Sequence, residues 1–159
     1  MLPCILLSLL VITAFLNMAY RCVYLAKYRT SASQRAHFAI FIPNATDDGR
    51  DLTQGFRSTS CTGTIIHVVG EPLMSGYALE FKRNYECSTS HDLQEMVFLG
   101  NVDSTNVYDP SSTKPVRETH PRATLEREAT TISPPPRGQN IRAPIDGVSN
   151  LNAGQDEQC

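Results

Sequence analysis

The first thirty-five residues hold no acidic side chain, and the first twenty hold no charged side chain of either sign. The lack of Lys or Arg before Arg21 argues against a cleaved signal peptide, which opens on a basic stretch, and neither "NMA" nor "AYR" is a good cleavage site. No Cys-x-x-Cys pair occurs among the five cysteines. The glycines of "GEPLMSG" stand six apart without a following Lys, so the chain has no phosphate-cradling loop. Its four histidines, His37, His67, His91 and His120, lack the short spacing of a structural metal site, and neither a metal nor a cofactor is expected. No internal repeat is visible, and a net charge of −2 argues against a nucleic-acid partner.

What the chain does have is polarised. Residues 1–35 hold four basic groups (Arg21, Lys27, Arg29, Arg35), whereas the remainder carries ten basic and sixteen acidic groups, a net of −6. Leu2 to Tyr20 is a nineteen-residue apolar stretch. As a helix it would be roughly 28 Å long, close to the hydrocarbon thickness of a bilayer. The expectation is a single-pass membrane protein, with an anchor over 1–24 that includes Cys4 and Cys22, and a basic hinge over 25–35. Because the basic residues follow the apolar stretch, the positive-inside rule favours a cytosolic body over a lumenal one. The sequon Asn44-Ala45-Thr46 is usable for glycosylation only if the body is lumenal. In that compartment Cys61 and Cys87 could form a disulfide, and in the cytosol they would remain thiols.

Short apolar runs follow the hinge. "HFAIFI" (His37–Ile42) is apolar on both faces, which suits a central buried strand, and Pro43 stops it. "TIIHVV" (Thr64–Val69) places Ile65, His67 and Val69 on one face. Tyr77–Arg83 alternates Tyr77, Leu79 and Phe81 with Ala78, Glu80 and Lys82, and its "EFKRNYE" charges read as ordinary solvated surface. Met96–Val102 is interrupted by Gly100, a candidate bulge. "DPSSTKP" reads as a linker, and "PRATLEREATTI" as a short helix with Leu125, Ala129 and Ile132 on one stripe, ended by "SPPPRG". The expected fold is a small α+β domain over 36–132, with an antiparallel sheet of about four strands and few helices. A transmembrane helix would precede it, and a disordered tail over 133–159 would follow it.

A strand opening His-aromatic-Ala-Ile-aromatic, followed by a Gly-led strand ending in "HV", resembles the permuted papain-like proteins of the lecithin:retinol acyltransferase and H-Ras-like suppressor group. The resemblance implies that His37 matches the base of that group and His67 its second histidine. Cys159 then matches the later nucleophile, being the only cysteine far enough downstream. The run "HVVGEPLMSGYALEFKRNY" also resembles small uncharacterised fungal proteins, some encoded beside secondary-metabolite clusters, which commonly continue to a "C-Q-x-W" helix. Here nothing follows Cys159, and its adjacent terminal carboxylate opposes thiolate formation. The expectation is a membrane-anchored accessory protein, catalytically silent as written and associated by resemblance with a fungal secondary-metabolite pathway. Its partners would be the membrane and a protein or lipid-like molecule. The alternative is a thiol-dependent acyltransferase or hydrolase using His37, His67 and Cys159, truncated in this chain.

Overall fold

The computed structural model describes residues 19–31, 36–71 and 75–134. Six strands are found there: β1 (Tyr20–Tyr28), β2 (His37–Pro43), β3 (Thr62–Glu71), β4 (Gly76–Glu86), β5 (Leu93–Asp103) and β6 (Val116–Glu118). A one-turn helix, α1 (Leu52–Gly55), lies between β2 and β3, and α2 (Thr124–Thr131) follows β6. The strands form one antiparallel sheet in the order β5-β1-β2-β3-β4-β6.

Two expectations are corrected. The sheet has six strands rather than four, because β1 and β6 join the runs read from the sequence. β1 occupies residues assigned to the end of the anchor and to the hinge, so Cys22 sits in a strand. Among the described residues no helix is long and apolar enough to cross a membrane, which overturns the expected single-pass span. Leu2 to Met18 lie outside the described residues, as do 135–159, where most of the expected tail falls. The physical reason for the misreading is that β1 directly follows the apolar run and is itself largely apolar, with only Arg21 and Lys27 charged, both on one face. Arg21, taken for a flanking cation, is 5% exposed and donates to Pro43 O (2.9 Å) and Asp109 Oδ1 (3.1 Å).

Strand alternation divides the core into two. On one face Tyr24, Ala26, Ala39, Phe41 and Ile65 pack under Leu52 and Phe56 of the α1 segment, with Leu93 and Met96 from β5. On the other face Ile42, Ile66 and Phe81 meet Leu125 and Ala129 of α2. The two faces are called A and B below. α2 is fastened to face B by a buried ion pair, Arg83–Glu126, with Arg83 Nη2 2.9 Å from Glu126 Oε2. β2 packs tightly against β3 at Gly63. A Cβ there would lie 2.3 Å from Ile42 O and 2.6 Å from the Phe41 ring, so only glycine fits.

Candidate functional site

The β2–β3 pairing begins at Pro43–Gly63 and ends at Ile40–Ile66. The ladders on either side continue: β1–β2 reaches Tyr28–His37, and β3–β4 reaches Glu71–Gly76. Between His37–Ala39 and His67–Val69 the sheet is therefore notched. His37 Nε2 and His67 Nδ1 bridge that notch at 2.9 Å, with the rings edge to face at 5.2 Å between centroids. His67 is paired with Glu80 across the β3–β4 hairpin, and His67 Nε2 lies 3.0 Å from Glu80 Oε1. The result is a continuous chain, Glu80–His67–His37, running from a carboxylate to an exposed imidazole at the first residue of β2.

The proton positions follow from this chain. An ionised Glu80 can only accept, so His67 Nε2–H donates to it. Neutral His67 then accepts at Nδ1, and His37 Nε2–H is the donor. The lone pair left on His37 is Nδ1, which has no hydrogen-bond partner among the described residues. Partial burial, and after it the nearby Lys82 ammonium, hold His37 below the ordinary histidine value. His67, 7% exposed, is also held below that value. There burial outweighs the opposing hydrogen bond to Glu80, and Lys82 and His37 add to the lowering. Both rings are thus neutral at neutral pH, the state a general base needs.

Two cavities share the histidine pair as a common wall. On face A a cavity of about 390 Å³ is lined by both histidines and by Tyr28, Arg29, Lys82, Tyr85, Ser90 and Asp92. On face B an open groove of about 670 Å³ runs over Phe38, Ile40, Ile66, Val68 and Leu79 to Ala129 and Ile132 at the end of α2. Both volumes fall within the range of small-molecule sites. Among the described residues no group of three or more His, Cys, Asp or Glu side chains is placed to hold a metal ion.

His37 and His67 are brought together, and Cys159 lies outside the described residues. Cys61 and Cys87 are neighbours in the face-A core, both free thiols, with Cys87 N donating to Cys61 O at 3.1 Å. The hydrogen bond between the two sulfurs and burial push the Cys61 thiol up, and the same bond lowers Cys87. Asn44 is half-buried, its side-chain amide donating to Asn84 Oδ1 at 3.0 Å. His91 and His120 are exposed and take no part in the site. Sequence reasoning missed Glu80, Lys82 and Tyr28. Symmetry about "GEPLMSG" would have set Leu79 opposite His67; the hairpin's actual register, with Glu71 opposite Gly76, sets Glu80 there, so the sequence alone carried no reliable signal for it.

No curated protein and no solved structure matches the chain. A family model does match, over residues 23–159, from the fourth residue of β1 to the last residue of the sequence. The matched range takes in the histidine pair, Glu80, both cavities and Cys159, and on it the chain belongs to a family of unknown function, DUF6540.

Proposed function

We propose that the chain is a hydrolase or acyl transferase acting through a thiol, with His37 as general base, His67 as its partner and Glu80 as the charge that fixes both rings. The observation that carries this reading is the unbroken hydrogen-bond chain from Glu80 through His67 to His37. The nucleophile in this reading is Cys159, taken from the resemblance of the strand histidines to permuted papain-like proteins.

His37 Nδ1 takes the thiol proton as the Cys159 sulfur bonds to the substrate's carbonyl carbon. That proton passes to the leaving alcohol or amine as its bond to the carbonyl breaks, and a thioester remains on Cys159. Water or an acceptor alcohol or amine then attacks the thioester. Its proton goes to His37 and on to the departing sulfur, which restores the thiol. A neutral base that takes the proton as the sulfur attacks removes the need for a preformed thiolate. The positive charge that builds on His37 is shared through His67 toward Glu80.

The test is intact-mass analysis of the full chain after exposure to p-nitrophenyl butyrate. One butyryl adduct is expected, mapping to Cys159, absent in Cys159→Ser and formed about 100-fold more slowly in His37→Ala. No adduct, together with equal iodoacetamide labelling of Cys159 in wild type and His37→Ala, would sink the proposal. That result would favour a second reading, a protein that binds a small apolar molecule without turning it over. The observation on its side is that no described cysteine lines the face-A cavity or the groove.

A further inference from the structure

Lys82 lines the face-A cavity and has no ion-pair partner among the described residues. The neighbouring carboxylate, Glu80, is taken up by His67 at 3.0 Å and faces Arg117 at 4.0 Å. The Tyr28 ring lines the same cavity, while its hydroxyl is buried beside Tyr85. A cation without a salt bridge therefore faces this space. With neutral histidines the charged groups lining the cavity are Lys82, Arg29 and Asp92, a net of one positive charge. One positive charge matches a monoanion better than a dianion such as a phosphate monoester.

The apolar groove meets this cavity at the histidine pair, where the β2–β3 ladder has ended. Phe38, 53% exposed on the groove side, is a large ring left in water at the notch. We infer that the notch is a binding site for an apolar monocarboxylate, whose carboxylate accepts from Lys82 while its hydrocarbon body lies in the groove on face B. Burial, and after it Arg117 across the β4–β6 ladder, lower the Lys82 pKa, and a bound carboxylate would offset both effects. The site requires no nucleophile and so goes beyond the catalytic reading.

The experiment is an NMR titration of the full chain with octanoate, 1-octanol and inorganic phosphate. Octanoate should bind about 10-fold more tightly than octanol, the worth of one charge-assisted contact, and phosphate should not compete. Lys82→Met should weaken octanoate about 10-fold and leave octanol unchanged, with Lys82→Arg keeping most of the affinity. Phe38→Ala should weaken octanoate and octanol by the same factor. Equal affinity for octanoate and octanol in the wild type overturns the inference and needs no variant to read. So does a Lys82→Met protein that binds octanoate normally, or phosphate that displaces it. Cys159→Ser should still bind octanoate, so a failed acylation experiment leaves this site standing. Acylation without octanoate binding would remove this inference alone.

Discussion

Glu80 accepts from His67 Nε2, and His67 accepts from His37 Nε2, so the two rings cannot choose their tautomers independently. The arrangement gives a definite spectroscopic expectation. The ¹⁵N shifts of His37 should report the Nε2–H form with Nδ1 unprotonated, and its titration midpoint should fall below about 6.5. Glu80→Gln removes the hydrogen-bonding carboxylate that raises His67, so the His67 midpoint should drop further. A midpoint that rises in Glu80→Gln would mean the carboxylate is not where the chain of bonds needs it. At this scale the sequence was partly legible. The two histidine-bearing strands were legible as strands, and the resemblance they carry paired His37 with His67, whose rings meet at 2.9 Å. Glu80 and Lys82 stayed hidden because charged residues on a strand are usually solvated. Only the register across the hairpin shows that Glu80 answers a buried histidine.

At the scale of elements, the groove depends on where α2 sits, because Ala129 and Ile132 form one of its walls. What fixes α2 is more polar than its apolar stripe suggests. Glu126, 3% exposed, takes a bidentate pair from Arg83, which is 2% exposed, and also accepts from Arg122 N at 2.6 Å at the start of the helix. Removing one partner of a buried pair leaves the other charge uncompensated, which costs about 3–5 kcal/mol. Arg83→Met should therefore destabilise the fold by about that amount in urea titration. Adding Glu126→Gln, which keeps the bond to Arg122 N without the charge, should recover at least about 1 kcal/mol. Strictly additive losses in the double variant would show that the pair is not coupled. The Leu125–Ala129–Ile132 stripe was readable from its spacing, whereas the buried Glu126 was not, since a glutamate in a first helical turn is ordinarily a solvated, dipole-matched charge. β1 was missed for a different reason. Its one polar face holds only Arg21 and Lys27 among Val23 and Leu25, so the pair read as cations flanking the preceding apolar run rather than as a strand face. β6, three residues long, is too short to carry any periodic signal.

Across the whole molecule, the groups that fasten the sheet also set its response to acid. Glu86 ends β4 and accepts from Cys61 N at 2.9 Å, from Ser60 Oγ at 2.9 Å and from Ser88 Oγ at 2.7 Å, tying the start of β3 to the turn after β4. Burial alone would raise its pKa, but these donors outweigh burial and bring it from 4.5 down to about 2. Between those two values the unfolded chain binds a proton that the folded chain refuses. The contribution of Glu86 is therefore complete above the ordinary carboxylate range and lost as pH falls toward the folded value. His37 and His67 act with the same sign at higher pH. Their folded values lie below the ordinary one, so their contribution is full above about 6.5 and declines as pH falls through the folded values. Stability should then fall in two stages on acidification, the first from the notch and the second from the Glu86 knot. Urea midpoints at about pH 7.5, 5.5 and 3.5 separate them. Glu86→Gln should lower the midpoint at about pH 7.5 by the equivalent of about 1–3 kcal/mol and flatten the fall between about 5.5 and 3.5. The fall between about 7.5 and 5.5 should survive in that variant, because the histidines are untouched. If Glu86→Gln kept the full low-pH fall, the acid response would have to come from other carboxylates, and Glu86 would be an ordinary surface charge.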